Sequence, residues 1–599
     1  MRRPIEPHGL AGGPLTPFVV LGVAWAVIAG LWLAWAAGRL TAAVTGRPAA
    51  GPRFGAEFLA ALLRGDWATA WPGLSPAAVA AVYTVLLAGA VGVAGGGWLW
   101  WQAHRPAGDD PLPSLAGGRE VAALALPAVV GRARRLRADL HGVPARRIAA
   151  EQAGVALGVH RRRGRRGRTL YASFEDVLLA VMAPRAGKTT ALTAPGTLAA
   201  PGAVIATSNK PDLWATTAAA RAARGTVWVF DPQAITYEPQ TWWWQPLTAA
   251  DSWEDAFRLA DHFVQQIRAT HHVSGEDFWI AAAQDLLACL LLAAACHGGT
   301  LVDVQAWLSD VTSREPARIL SAHGFHAAAR SVAGRQAGAP ETRDGVYETA
   351  RTAASCLSDP RIMAWVTPPA RPLPALDVAG FPTSSHTLYL LSKDGAGSAA
   401  PLVAGLTDQL LRAAVRAAEL RGGRLDPPML AVLDEAANIC KIGDLPDLYS
   451  HFGSRGIVPM TILQSYPQGA RVWGEPGMAA LWSAVTIKLV GAGIDDPKLA
   501  EDISRLVGEH DVPTVARTRD GAGHHTWQTS LRRQRILDAA QIRALPKGSA
   551  LLLATGIKPA LLDLLPWYDG PDATRLTREV GRATDRITRH ARDTHQARW

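Results

Sequence analysis

Cysteine is scarce: the 599 residues hold four, Cys289, Cys296, Cys356 and Cys440. No two of them form C-x-x-C, and no histidine cluster supplies zinc-ligand spacing. A disulfide-stapled scaffold and a structural metal module are excluded on those grounds, and buried, reduced thiols are expected. Charge is also thin, at 19% charged residues against 49% hydrophobic. Lysine is sparse, so the net charge of +10 comes overwhelmingly from arginine. That balance permits a nucleic-acid or anionic-membrane partner without specifying one. At roughly 150 residues per domain, the length allows about four domains.

The apolar excess sits mainly in two N-terminal runs. Residues 17–37 are almost wholly apolar and end at Arg39. Residues 76–101 are apolar again and end before His104 and Arg105. Each reaches the ~20 residues that a helix needs to cross the hydrocarbon core. Trp98, Trp100 and Trp101 close the second run, where an aromatic belt belongs. The first run has no clear A-x-A cleavage site, so a retained anchor is expected rather than a removed signal peptide. Charge bias does not orient the pair. Arg2 and Arg3 favour a cytoplasmic N-terminus, but Arg39, Arg47, Arg53 and Arg64 crowd the intervening segment.

Residues 102–118 are rich in Pro, Gly and Asp and read as a linker. Two basic clusters follow, Arg132, Arg134, Arg135 and Arg137, then His160, Arg161, Arg162, Arg163, Arg165, Arg166 and Arg168. They read as a solvated juxtamembrane charge run, with contact to anionic lipid or DNA as the alternative. Short apolar runs then recur at 177–181, 203–206, 227–230, 387–391, 429–433, 458–463, 486–490 and 551–554, mostly separated by helical patterns. This alternation predicts a mainly parallel sheet covered by helices. From 252 to 369 the pattern is helical throughout, with Phe278, Ala282, Leu286, Leu290 and Ala293 on one face, so an all-α insertion is expected. Near the C-terminus, Leu576, Val580, Ala583, Ile587 and Ala591 recur at helical spacing, the mark of an amphipathic helix packed on the body or on a partner.

The strongest local signal is Met182-Ala-Pro-Arg-Ala-Gly-Lys-Thr189, which follows the 177–181 run and opens a helical segment. That is the context of a P-loop. Backbone N–H groups of Pro184-flanked Arg185, Ala186, Gly187, Lys188, Thr189 and Thr190, with the positive helix end, make a concave phosphate site. Lys188 reaches the β- and γ-phosphates, and the Thr189 hydroxyl is a Mg²⁺ ligand. Met182 stands where the pattern has its first glycine, and is expected to narrow the loop or change its backbone angle. The second signal is the run 429–433 followed by Asp434 and Glu435, two carboxylates at the C-terminal edge of a buried strand. Asp434 is the expected Mg²⁺ partner, and Glu435 the group that orients and deprotonates a water. Gln464 ends the 458–463 run as a γ-phosphate sensor. Arg455 is a candidate arginine finger toward a neighbouring subunit, with a plain surface charge as the other reading. ATP with Mg²⁺ is the ligand these residues suit. A nucleotide site fed from the cytosol places both termini inside, which makes the expected localisation a multi-pass inner or plasma membrane protein with its ATPase domain in the cytoplasm.

Together, Leu433-Asp-Glu-Ala-Ala-Asn438, Lys441-Ile-Gly-Asp-Leu-Pro446, Ser454-Arg-Gly-Ile457, Ile462-Leu-Gln-Ser465, Gly493-Ile-Asp-Asp-Pro497, Ile503-Ser-Arg-Leu-Val-Gly508 and Ile542-Arg-Ala-Leu-Pro-Lys-Gly548 resemble the TraG/TraD-like coupling proteins of type IV secretion. Asp231-Pro232 and Phe278-Trp279 fit its earlier blocks, and the resemblance covers about residues 177–568. It implies an α/β, RecA-like P-loop NTPase domain with an inserted all-α domain and two N-terminal transmembrane helices. The expected boundaries are an anchor at 1–105, a linker and basic segment at 106–150, the motor at 151–251 and 370–569, the insertion at 252–369, and a basic amphipathic tail at 570–599. The resemblance also implies a homo-hexameric ring docked on type IV secretion channel components, passing DNA or a relaxase–DNA complex by ATP hydrolysis. Lys188, Thr189, Asp434, Glu435 and Gln464 take the family's ATPase positions. Two other readings stay open: an FtsK-like translocase or protein-secretion ATPase, and a nucleotide-gated receptor whose turnover Met182 weakens. Trp242, Trp243 and Trp244 are either core residues or base-stacking ones.

Overall fold

The computed structural model describes residues 16–48, 50–104, 110–162, 167–268, 276–395, 397–519 and 525–596. Arg2, Arg3, Arg105, Arg163, Arg165 and Arg166, invoked above, lie outside them. The chain divides into two compact units, residues 1–106 and 107–599.

The first unit is a helical hairpin. α1 (Thr16–Val44) and α4 (Pro76–His104) are its long arms, and α2 (Ala56–Leu63) and α3 (Trp67–Ala70) lie in the connection. The candidate spans Trp25–Val44 and Pro76–Trp100 are 22% and 6% buried, so both present their apolar surface outward. A third helix, Asp277–Cys296, is equally long and apolar, but 72% of it is buried. A helix that is apolar all round belongs either in lipid or in a core, and packing decides between them. Here it is the core of the insertion: Leu286, Leu290 and Ala293 are fully buried, while Phe278 at its start remains exposed.

The second unit is built on one sheet of eleven strands. They are β1 (Gly154–His160), β2 (Thr169–Ser173), β3 (Leu178–Val181), β4 (Val204–Ser208), β5 (Val227–Phe230), β6 (Thr387–Leu391), β7 (Met429–Leu433), β8 (Ile457–Leu463), β9 (Ile487–Gly491), β12 (Ser549–Ala554) and β13 (Ala560–Asp563), while β10 (Glu509–Arg519) and β11 (His525–Arg535) pair as a separate ribbon. The spatial order is β2-β1-β13-β12-β9-β3-β8-β7-β4-β6-β5. From β9 to β5 every pairing is parallel; from β9 outward to β2 every pairing is antiparallel. The sheet is therefore mixed, and the expectation of a mainly parallel one holds for its central and β5-side strands.

Strand alternation explains why the inner strands are continuous apolar runs. Leu179, Val181, Ile205 and Leu433 enter one core, and their neighbours Leu178, Ala180, Val204 and Val432 enter another. Both faces are covered, so apolar residues dominate, and the polar ones among them, such as Thr207 and Thr387, are buried and hydrogen-bonded. The insertion, running as helices from Trp253 to Met363 between β5 and β6, shares the first core. The second face carries the helix after the P-loop and the helix Asp212–Ala222. Against the latter lies the C-terminal helix Ala573–Gln596, with Leu576 and Ala583 buried and Arg586 over the Trp214 ring at 5.1 Å. Trp242 and Trp244 are buried, their indole N–H groups donating to Val229 O at 3.0 Å and Gln409 Oε1 at 3.2 Å, which makes them core residues rather than stacking platforms.

One buried cation pins the second face. Arg221, 1% exposed, has no acidic partner among the described residues and donates instead to Thr387 Oγ1, Ala200 O and Gly202 O at 2.7–2.8 Å. Burial lowers its pKa to about 10. Replacing it orphans carbonyls that face no water, at about 1–3 kcal/mol each. Arg221→Leu is expected to lower the melting temperature of the full-length protein by several degrees; an unchanged Tm contradicts this account.

Candidate functional site

The C-terminal edges of four adjacent strands, in the order β3-β8-β7-β4, carry the site. After β3 the ladder continues for two residues: Met182 N–H donates to Leu463 O at 3.0 Å and Ala183 N–H to Ala492 O at 3.2 Å. The loop then winds through two left-handed positions, Arg185 (φ 62°) and Gly187 (φ 98°). Glycine is suited to the second, because an L side chain is strained there. Pro184 and Arg185 are exposed and Ala186 is buried. Lys188, Thr189 and Thr190 open the helical segment, whose first turn at Thr189–Thr193 is a wide π turn.

Met182 does not narrow this loop. Its side chain is fully buried and enters the core of the second face. It occupies space left by Gly491 on β9, where a Cβ would come within 2.6 Å of Met182 Cγ. The expectation of an obstructed phosphate loop is therefore corrected, and the weak-turnover receptor reading loses its motive.

Lys188 lies across the acidic pair. Its Nζ donates to Glu435 Oε1 and sits 3.8 Å from Asp434 Oδ1, with the lysine side chain 12% exposed and the carboxylates 4–5%. Glu435 is in the left-handed region (φ 55°), at the turn from β7 into the short helix Ala436–Ile439. Its other oxygen, Oε2, accepts from Gln464 Nε2 at 2.6 Å and from Asn438 Nδ2 at 3.1 Å. Gln468 completes the ring, donating to Asn438 Oδ1 at 2.6 Å and accepting from the Gln464 N–H at 3.1 Å. Thr207 on β4 donates to the Asp434 carbonyl at 2.8 Å. Burial pushes the Asp434 carboxyl up to about 6; the Lys188 ammonium opposes that shift and the Glu435 carboxylate adds to it, with a smaller lowering from Lys210 beyond β4.

The structure thus brings Lys188, Asp434, Glu435 and Gln464 together, with Thr189 on the loop beside them. It does not bring Arg455 to them. That residue precedes β8, at the far end of the strand from Gln464, about 23 Å away at strand rise, and pairs with Glu419 at 3.7 Å. Asn438 and Gln468 were missed as participants. Asn438 falls inside a quoted motif, and Gln468 stands one helical turn beyond Gln464, but neither spacing alone names a role.

Fold and site define a RecA-like P-loop protein with a helical insertion. Residues 428–547 match the family described as the TraM recognition site of TraD and TraG, a segment that contains β7, the acidic pair and Gln464. Over that segment the resemblance to the TraG/TraD-like coupling proteins of type IV secretion is borne out. No curated protein matches the chain. Among solved structures, the chain is similar to the bacterial conjugative coupling protein TrwBdeltaN70 in its unbound monoclinic form (18% identity, 65% of this chain and 85% of that one, TM-score 0.48). It is similar also to the plasmid coupling protein TrwB in complex with ADP and Mg²⁺ (16%, 66% and 85%, 0.47). A third is VirB4 of Thermoanaerobacter pseudethanolicus (14%, 70% and 98%, 0.37).

The fit of Met182 under Gly491 predicts the result of restoring the motif's glycine. Met182→Gly removes a fully buried side chain, at a cost of about 2–5 kcal/mol. It is expected to lower Tm without raising nucleotide affinity; a gain in affinity at unchanged Tm contradicts this reading of the loop.

Proposed function

We propose that this chain is a membrane-anchored ATPase that couples DNA, or a relaxase–DNA substrate, to a type IV secretion channel and drives its transfer by ATP hydrolysis. The observation that carries the reading is the convergence of Lys188, Asp434, Glu435 and Gln464 on neighbouring strand ends. The family match over 428–547, described by its recognition of TraM, supports a protein partner on the DNA side. The two outward-facing apolar helices support the anchor. A hexameric ring, with Arg455 reaching the neighbouring subunit's nucleotide, belongs to the same proposal. So do cytoplasmic termini and the segment boundaries given above.

The chemistry follows from the donor set. The backbone N–H groups from Arg185 to Thr190, at the start of a helical segment, would take the phosphates. Asp434 and the Thr189 hydroxyl are hard oxygen donors that would hold Mg²⁺, and the bound ion would neutralise phosphate charge. The Lys188 ammonium leaves Glu435 for the phosphates, which frees the carboxylate. Glu435, still held by Gln464 and Asn438, then orients a water and accepts its proton. Gln464 links the γ-phosphate position to the general base, and so reports hydrolysis to the helix that begins at Tyr466.

Two tests follow. Lys188→Ala is expected to abolish ATPase activity and DNA transfer together, and Glu435→Gln to keep nucleotide binding while losing about 10²–10⁴-fold in turnover; undiminished transfer in the lysine variant removes the motor. The raised Asp434 pKa sets a pH dependence. Because the folded pKa of about 6 exceeds the ordinary aspartate value of 3.8, the stability this carboxyl contributes is full below 3.8 and is lost as pH rises through about 6. Metal-nucleotide binding requires the ionised form, so its affinity is expected to fall about tenfold per pH unit below 6. Calorimetry between pH 5 and 8 checks this, and a flat profile contradicts it.

A further inference from the structure

The connection between α1 and α4 carries more arginine than an orienting signal explains. Arg47 donates to the Gly73 carbonyl and Arg64 to Ala60 O at 3.0 Å. Arg39, near the end of α1, and Arg53, in the connection, lie close to one tryptophan, Trp35. The Arg39 guanidinium lies over the Trp35 ring, 5.2 Å from its centroid. The Trp35 indole N–H donates to Pro52 O at 3.1 Å, which fixes the loop so that Arg53 follows directly. Arg39 and Arg53 line a single groove of about 930 Å³ whose other walls are apolar, formed by Trp32, Leu40, Phe54 and Leu86 among others. Trp32 and Leu40 are 51% and 46% exposed, so these walls present an apolar surface outward.

A guanidinium pair set among tryptophans at the end of an apolar span is the chemistry of phosphate at headgroup depth. Guanidinium groups bind phosphate oxygens in a planar fork and are weakly hydrated. Tryptophan favours the membrane interface. The apolar walls suit an acyl chain and leave a free anion nothing to bury. We infer that this groove binds an anionic glycerophospholipid, its phosphate held by Arg39 and Arg53 and one acyl chain laid along Trp32, Leu40 and Leu86. The inference rests on α1 and α4 lying in a bilayer. Resistance of the protein to carbonate extraction tests that premise separately; release by carbonate would remove the site together with the anchor.

The test uses the full chain in a neutral detergent, titrated with phosphatidylglycerol or phosphatidylcholine and read by native mass spectrometry. Wild type is expected to prefer phosphatidylglycerol about tenfold, because both lipids offer a phosphate but the choline ammonium of phosphatidylcholine repels the two guanidinium groups. Arg39→Gln with Arg53→Gln is expected to bring the two lipids within about twofold of each other. Arg64→Gln, which removes one charge from the connection as Arg53→Gln does, is expected to keep the preference. Arg53 is exposed, so Arg53→Gln alone is expected to fold and to lose several-fold of the preference should the double variant misfold. A wild type that does not discriminate, or Arg39 and Arg53 variants that still do, overturns the inference. Displacement of the lipid by excess inorganic phosphate also overturns it, assigning the groove to a free anion.

Discussion

One ammonium set against two buried carboxylates organises the second unit. Lys188, Asp434 and Glu435 are each largely withdrawn from water, and an unpaired charge at such depth costs several kcal/mol. They are tolerable only together. Their meeting requires β3 and β7 to end at the same edge of the sheet, with β8 between them to deliver Gln464. Parallel pairing supplies that alignment, because strands running the same way bring all their C-terminal ends to one edge. The crossover helices, the two-sided burial and the apolar monotony of the inner strands are consequences of that requirement.

The same edge is tied into the rest of the unit. Glu435 starts the turn into Ala436–Ile439, and that segment leads to Asp444 before the next helix. Asp444 accepts from Arg412 at 2.5 Å, Arg412 donates to Asp408 at 3.0 Å, and Asp408 pairs with His262 at 3.3 Å. His262 lies on the first helix of the insertion, and Arg412 and Asp408 lie on the helix Ala400–Glu419. A polar path therefore joins the acidic pair's segment to the insertion through a helix that covers the sheet. Its buried members fix how these helices meet, since Asp408 has no water to fall back on.

What the sequence made legible was whatever a local pattern specifies. The runs that became β3 to β9 and β12 are mainly apolar, buried throughout in β3, β4, β6, β7 and β8, and the glycine, lysine and acidic residues of the site stand at the ends of the central ones. What escaped was set by partners distant in the chain. Met182 was read as an obstruction because nothing local reveals that Gly491, more than three hundred residues away, leaves room for its side chain. β1 and β2 were hidden by the arginine-rich stretch between them, and Gly158 (φ 143°) interrupts the first. The ribbon strands β10 and β11 are too polar to show a buried-strand pattern. Arg455 precedes β8, at the edge of the sheet opposite its own subunit's acidic pair, so only a neighbouring subunit could bring it to a nucleotide.

Calorimetric titration of the full-length protein with Mg-ATP, beside Lys188→Ala under the same conditions, tests the central claim most directly. One nucleotide bound per chain by wild type, with binding lost or weakened by orders of magnitude in the variant, is the predicted result. Equal affinity in the two proteins, or no heat of binding to folded wild type, would contradict the account.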